Sequence, residues 1–233
     1  MNLYTDESFG SSLVNISRPR VRRRILLLGA AGVGKSAIIM RFKDDIFLDY
    51  YEPTIHCIIK KIFVFNNQNI ELEIIDIDGL TEYTLFSFSK FSIGIDGYVF
   101  CYSVENRYSF DLVKLIHSKL YALVGRNIPK ILVANKTDLP NRVITFEEGQ
   151  NFAKEIKCPF LECSAKNNQN IGKIFKNILV EINKYENDID LKRLTCIKLL
   201  EIIIKRENIF LGFLYFLMIV YIVRFIDLDI SYH

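Results

Sequence analysis

The chain has 233 residues and a formal net charge of +3, from 30 Lys and Arg against 27 Asp and Glu. This small surplus does not indicate a nucleic-acid-binding protein, and the length suffices for one well-packed domain with extensions. Five cysteines are scattered without the spacing of metal ligands, which predicts free thiols in a reducing compartment. Half of the residues are hydrophobic, and the C-terminal end contributes much of that fraction.

Residues 1–20 are polar and predict a flexible N-terminal extension. Between residues 21 and 185, short apolar runs alternate with stretches of helical periodicity. The predicted strands are 25–28, 57–65, 70–76, 98–103, 130–134 and 160–163, and the predicted helices are 35–43, 109–124, 146–156 and 171–185. The alternation predicts one α/β domain, in which a six-stranded and mostly parallel sheet has helices on both faces. The second and third strands are predicted to pair as a hairpin.

A glycine-rich loop follows the first predicted strand and leads into the first helix. It fits the pattern of Gly, four residues and Gly-Lys-Ser that is typical of phosphate-binding loops in P-loop NTPases. The predicted phosphate contacts are Gly29, Ala30, Ala31, Gly32, Val33, Gly34, Lys35, Ser36 and Ala37. Backbone N–H groups of such a loop point at phosphate oxygens, and the helix N-terminus adds positive potential. Lys35 is predicted to reach the β- and γ-phosphates, and Ser36 to ligate Mg²⁺.

The third predicted strand ends at Asp76, and Gly79 follows three residues later. In phosphate-loop NTPases an aspartate at the end of a neighbouring strand helps to hold Mg²⁺. A glycine in the second place allows its amide to approach the terminal phosphate. The pair therefore predicts the metal-binding and phosphate-sensing side of the same site.

The fifth predicted strand leads into Asn135-Lys136-Thr137-Asp138. The Asp138 carboxylate can accept two hydrogen bonds from the guanine ring N–H and exocyclic amine, a donor pair that adenine lacks. The stem of Lys136 can lie over the purine face, and Asn135 can fix the loop. The segment therefore predicts a guanine nucleotide as the ligand and disfavours an ATP-using enzyme.

The sixth predicted strand leads into Cys163-Ser164-Ala165-Lys166. The backbone N–H of Ala165 can donate a hydrogen bond to the guanine oxygen, while Ser164 braces the loop. Lys166 completes this second base-reading segment. Because both segments follow strands of the predicted parallel sheet, they are expected at the edge where such sheets bind ligands.

With these motifs present, residues 22–185 resemble the Ras superfamily of small GTPases, and within it most of all the Rheb branch. The segments behind the resemblance to the superfamily are 29–36, 51–55, 76–79, 135–138 and 164–166. Those behind the resemblance to the branch are 82–86, 102–104 with 109–110, 116–120 and 142–149. The resemblance implies a monomeric switch that binds GTP or GDP with Mg²⁺ and hydrolyses GTP. It also implies three protein partners, namely an exchange factor, a GTPase-activating protein and an effector that contacts the switch loops.

The resemblance extends to further residues of this sequence. Thr54 resembles the threonine of the first switch, whose hydroxyl ligates Mg²⁺ in the GTP-bound state, and Tyr51 resembles the tyrosine that closes over the phosphates. Phe47 resembles the aromatic residue that stacks on guanine, and a plain core position is the alternative. By the same resemblance, Lys35, Thr54 and Gly79 are the residues predicted to act in hydrolysis.

Four positions depart from the family pattern. Leu80 stands where relatives usually have the glutamine that orients the attacking water, and such a loss costs about a hundredfold in rate. Asp78 replaces a usual alanine, and its carboxylate either repels the γ-phosphate or joins the Mg²⁺ shell. Ala31 crowds an incoming arginine finger, and His56 replaces a usual effector-loop glutamate. Two functions therefore stay open: a slow GTPase, or a nucleotide-bound interaction module that does not hydrolyse GTP.

Three segments are predicted beyond the domain. Residues 186–208 form a linker of apolar and basic residues, 209–226 form a hydrophobic segment, and 227–233 form a short acidic end. A helix over 209–226 rises roughly 27 Å, close to the thickness of a thin bilayer core. This predicts a tail anchor on the cytoplasmic face of a membrane, and without an anchor a cytoplasmic protein. The alternatives are a helix lying on a membrane surface or on the domain, and a tail translated across a misjudged exon boundary.

Overall fold

The computed structural model describes residues 21–49, 57–81, 93–124 and 128–206. All six predicted strands and all four predicted helices are present in this part of the chain. In order they are β1 (Val21–Leu28), α1 (Lys35–Asp44), β2 (Cys57–Phe65), β3 (Gln68–Asp76), β4 (Gly97–Ser103), α2 (Arg107–Val124), β5 (Lys130–Asn135), α3 (Phe146–Glu155), β6 (Phe160–Glu162) and α4 (Ile171–Arg206).

The six strands form one sheet in the order β2-β3-β1-β4-β5-β6. Only β2 and β3 pair antiparallel among these strands, and every other neighbouring pair is parallel. Asn66 and Asn67 connect the hairpin with φ angles of 49° and 60°. Asparagine tolerates this left-handed conformation, which a tight hairpin turn requires. The predicted mostly parallel sheet with one hairpin is therefore confirmed.

Helices cover both faces of the sheet, as β4 shows. A Cβ on Gly97 would come within 2.8 Å of Ile178 Cγ1, so α4 lies directly on one face. The ring of Phe110 in α2 packs against Tyr102, with 4.7 Å between ring centroids. Positions 97 and 102 point to opposite faces because side chains alternate along a strand. Every residue of β4 and β5 is buried between these layers, which explains why both strands are apolar except near their ends.

The last helix is longer than predicted. The periodicity predicts an end at residue 185, whereas α4 continues through part of the predicted linker to Arg206. Residues 186–206 contain neither Gly nor Pro, and an Asp188–Lys192 ion pair of 2.8 Å links successive turns. Arg23 of β1 also donates a hydrogen bond of 2.7 Å to Glu186, which holds the start of the extension against the domain.

The extension of α4 exposes apolar side chains such as Leu191 and Leu194 to solvent. Within the described residues, no helix combines the length and the apolar character needed to cross a bilayer. The predicted hydrophobic segment 209–226 lies outside the described residues, as does the predicted N-terminal extension.

Candidate functional site

A cleft of about 460 Å³ opens where β3 ends and α1 begins. The predicted phosphate-site residues that line it are Ala31, Gly32, Gly34, Lys35, Ser36, Ala37, Asp76 and Gly79. The sheet brings the two halves of this set together, because Leu27 of β1 pairs in parallel with Asp76 of β3. The glycine-rich loop and the end of β3 thus form one site, as their positions after adjacent strands predict.

The loop enters α1 through Gly34, which has a φ of 93°. A Cβ at this position would lie 2.3 Å from Nδ2 of Asn135, so neither the backbone conformation nor the space favours a side chain. Gly34 is also the N-cap of α1 and makes no side-chain hydrogen bond to the helix. The first turn of α1 therefore receives no side-chain cap from its N-cap residue, which suits the binding of an anion.

The Lys35 ammonium is buried beside the cleft. Its Nζ atom donates hydrogen bonds of 3.1 Å to the carbonyl oxygens of residues 29 and 30. Burial lowers the pKa of Lys35, while the nearby Cys101, Asp76 and Asp78 act in the opposite direction. The loop thus holds a cation close to the backbone that would surround a phosphate chain.

Ser36 and Asp76 line the cleft with a hydroxyl and a buried carboxylate. Such hard oxygen donors suit Mg²⁺, which also takes ligands from nucleotide phosphates and water. The chemistry of the two residues therefore fits the predicted metal. Thr54, the third predicted ligand, lies outside the described residues, and so do Tyr51 and His56.

The segment after β3 packs directly on the phosphate-binding loop. A Cβ on Gly79 would fall 2.2 Å from the Cα of Ala31. The Leu80 amide donates a hydrogen bond of 3.0 Å to the Gly29 carbonyl, and the Leu80 side chain is only 5% exposed. Leu80 therefore belongs to the hydrophobic core, where it contributes packing and no polar group toward the cleft.

Asn135 links the phosphate-binding loop to the second base-reading segment. Its buried side-chain amide donates to the Val33 carbonyl at 2.9 Å. Its Oδ1 atom accepts from the Ala165 amide at 3.2 Å. One side chain at the end of β5 thus sets the distance between the loops predicted to hold phosphate and base.

The two base-reading segments are joined by side-chain hydrogen bonds. The Ser164 hydroxyl donates to the Asp138 carboxylate at 2.5 Å and accepts from the Asn167 amide at 3.0 Å. Thr137 donates from its hydroxyl to the Cys163 carbonyl at 3.0 Å. These contacts orient Asp138 before any base binds, which is what an accurate hydrogen-bonding site needs.

Two residues that sequence reasoning missed complete this half of the site. Glu105, just after β4, accepts a hydrogen bond of 2.9 Å from Lys136, whose φ of 65° is left-handed. Arg41 of α1 donates from Nε to the Ala165 carbonyl at 3.0 Å and lies 5.8 Å from the ring centroid of Phe47. Phe47 packs partly buried against the core, so both of its predicted roles agree with its place. Neither Glu105 nor Arg41 belongs to a motif, and only the fold places them at the site.

Arg41 also reaches the last predicted base-site residue. Its Nη2 atom donates to the Lys166 carbonyl at 3.1 Å. The backbone of Lys166 is therefore fixed by α1, although its side chain belongs to the loop after β6.

Comparison with known proteins gives a consistent result. A model of the Ras family matches residues 24–184. A GTP-binding protein Rheb homolog from Dictyostelium discoideum is 41% identical over 168 residues, which is 71% of this chain and 90% of the relative. GTP-binding protein Rheb from Mus musculus is 42% identical, and that from Homo sapiens 41%, each over 166 residues, 70% of this chain and 90% of the relative. The matched region contains the phosphate-binding loop and both base-reading segments.

Proposed function

Because the chain belongs to the Ras family of small GTPases, in its Rheb branch, we propose that the cleft and the two base-reading segments form its nucleotide site. Members of this family are guanine-nucleotide-binding molecular switches and GTP hydrolases. The observation that supports the location best is the Asn135 side chain. It bonds the phosphate-binding loop on one side and the base-reading backbone on the other.

In the proposed complex, Asp138 accepts hydrogen bonds from the ring N–H and exocyclic amine of guanine. The Ala165 N–H, which donates to Asn135 Oδ1 at 3.2 Å, would share its hydrogen with the guanine oxygen or exchange one acceptor for the other. Ser164 holds Asp138 in place. Lys136 and Phe47 cover the two faces of the purine. This arrangement selects guanine because adenine offers no such donor pair to the half-buried Asp138 carboxylate.

The phosphate chain is proposed to bind the amides of residues 29–37 and the Lys35 ammonium. Ser36, Thr54 and Asp76 would hold Mg²⁺, which when bound supplies positive charge to the phosphates. Gly79 is proposed to sense the γ-phosphate through its amide, since the structure places it against Ala31. Two loops that a γ-phosphate orders and its loss releases would constitute the switch.

Hydrolysis is proposed to be slow. Water attacks the γ-phosphorus and the bond to the β-phosphate oxygen breaks, while Lys35 stabilises the charge that develops on the phosphate oxygens. Leu80 has no side-chain amide or carboxylate that could orient the water, and its side chain is buried in the core. The second candidate, a nucleotide-bound module without turnover, is favoured by the same residue.

Two measurements test the proposal. Chromatography of nucleotides released from the purified protein should yield guanine nucleotides at about one per chain, without adenine nucleotides. Single-turnover hydrolysis of bound GTP should then exceed the rate in buffer, and an activating protein should increase it further. A guanine-loaded protein with the buffer rate in both assays would establish the module. A protein without bound guanine nucleotide and without affinity for added GDP would overturn the nucleotide site itself.

The partners proposed for this switch are an exchange factor, an activating protein and an effector that binds only the GTP-bound form. A membrane is proposed as a further partner through residues 209–226. The continuity of α4 to Arg206 supports this idea, because the helix leads from the domain core to within three residues of that segment.

Carbonate extraction of membranes tests the anchor. The informative truncation ends at residue 208, since it removes the hydrophobic segment and leaves all of α4 intact. The full chain should stay in the membrane pellet while the truncated chain is released. Release of both would overturn the anchor, and retention of both would assign membrane binding to the part of the chain before residue 209.

A further inference from the structure

Arg41 connects three stretches of chain around the base-reading side of the site. It lies in the last turn of α1, and its side chain is 15% exposed. Its Nε and Nη2 atoms donate to the carbonyls of Ala165 and Lys166, at 3.0 and 3.1 Å. Its Nη1 atom donates to the carbonyl and the carboxylate of Asp45, at 2.7 and 3.2 Å.

These contacts fix the backbone that is proposed to read the guanine oxygen. The Ala165 amide is oriented from one side by Asn135 Oδ1 and the Ala165 carbonyl from the other by Arg41 Nε. Hydrogen bonds at both ends of one residue leave its peptide groups little freedom to rotate. Backbone held in this way is already ordered when a ligand arrives, so binding costs less ordering entropy.

The same guanidinium reaches the aromatic residue on the other side of the proposed base position. Arg41 Cζ lies 5.8 Å from the ring centroid of Phe47, within the range of a cation–π contact. Asp45, which ends α1 in a left-handed conformation with a φ of 58°, also accepts from Asn168 Nδ2 at 2.8 Å. Asp45 and Asn168 thus close a second link between α1 and the loop after β6.

From this geometry we infer that Arg41 is a positioning residue for guanine binding, which holds Phe47 and the Ala165–Lys166 backbone at the spacing of a purine. The inference rests on the proposed nucleotide site and adds a residue that itself touches no ligand group. The planar guanidinium is essential to this role, because it serves several acceptors in fixed directions at once. A lysine would keep the charge but present a single nitrogen.

The experiment measures the release of a fluorescent GDP analogue from the full-length protein during a chase with excess GDP. Arg41→Gln should speed release about tenfold, and Arg41→Lys should resemble it because the fork is lost. Arg107→Gln is the matched control. Arg107 also lies 5.8 Å from a phenylalanine ring and pairs with an acid, but it is 42% exposed and contacts α3. Its substitution should change release less than twofold.

Coupling to Phe47 separates positioning from a general loss of stability. In a Phe47→Leu background, Arg41→Gln should add less than a twofold effect, because the two residues act on the same base. If the two substitutions speed GDP release by factors that multiply fully, the inference is overturned while the proposed function stays intact. The same holds if the Arg41→Gln protein releases GDP at the wild-type rate. A wild-type protein that does not retain GDP would overturn both.

Discussion

The two ends of the proposed nucleotide site are built from different interactions. At the base-reading end, polar side chains bond one another: Asn135 holds Val33 and Ala165, and Ser164 holds Asp138. At the γ-phosphate end, the segment after β3 is held by backbone packing of Gly79 on Ala31 and by the core side chain of Leu80. The first end presents hydrogen-bonding side chains that hold one another, whereas at the second end Leu80 adds no polar group to Lys35, Ser36, Asp76 and the loop amides.

Because of this difference, we expect the base-reading end to determine nucleotide affinity and the γ-phosphate end to determine the rate of hydrolysis. Recognition of a base requires accurately placed donors and acceptors, which the hydrogen-bonded loops after β5 and β6 provide. Hydrolysis requires groups that are stronger in the transition state than in the ground state. An apolar leucine in the core supplies packing free energy but no such group. The proposed site therefore combines hydrogen-bonded base-reading loops with a γ-phosphate end that has an apolar side chain at residue 80.

The largest effect is expected from Asp138→Asn, which changes only the base-reading end. The new amide places N–H donors opposite the N–H donors of guanine, so GDP affinity should fall on the order of a thousandfold. The affinity for xanthine nucleotides should rise. Asparagine keeps an oxygen for the Ser164 hydroxyl, and the loop should therefore stay folded. Competition between GDP and xanthosine diphosphate measures the change.

Asp111→Asn is the matched control for that substitution. Asp111 is an exposed aspartate on α2 that pairs only weakly with Lys114, at 3.6 Å. Its amide variant should leave GDP affinity unchanged. Undiminished GDP preference in Asp138→Asn would show that the base is read elsewhere, and the contrast between the two ends would lose its foundation.

A smaller effect is expected from Leu80→Gln at the γ-phosphate end. Restoring the amide should raise single-turnover hydrolysis by no more than about tenfold, because Asp78 and Ala31 remain in place. The same change should lower the free energy of unfolding by about 1–3 kcal/mol, since the amide enters a buried apolar position. Leu80→Met, which keeps the position apolar, should change neither quantity much. A hundredfold gain in rate without loss of stability would show that residue 80 can leave the core at no cost.

Local patterns predict most of the fold. The β2 bounds agree with the prediction, and the apolar run that begins at Cys57 ends where Asn66 and Asn67 form the turn. The end of α4 could not be predicted in the same way. A polar stretch after Tyr185 predicts a linker, but helix propagation needs only the absence of breakers, and the Arg23–Glu186 contact comes from a distant strand.

The candidate site also contains residues that the sequence predicts and residues that only the fold brings to it. Lys35, Asp76, Asn135 and Asp138 were predictable because motif residues at strand ends must meet at one edge of a parallel sheet. Arg41 and Glu105 were not, since each acts on a segment far away in sequence. The core position of Leu80 also required the structure, because its place in the motif predicts only that a polar group is lost.

The smallest effect is expected from Glu105→Gln, which tests how finely the base-reading end is tuned. Glu105 pairs with Lys136 at 2.9 Å, and both side chains are about one-third exposed. Solvent screening limits such a pair to less than about 1 kcal/mol, so GDP release should accelerate about threefold. The acceleration should shrink at high salt, because salt already weakens the wild-type pair. Glu148→Gln, at an equally exposed acid that pairs with Arg107, should leave release unchanged. Equal effects of the two variants would mean that surface charge, rather than the orientation of Lys136, controls release, and the base-reading end would then be less specifically built than its hydrogen bonds indicate.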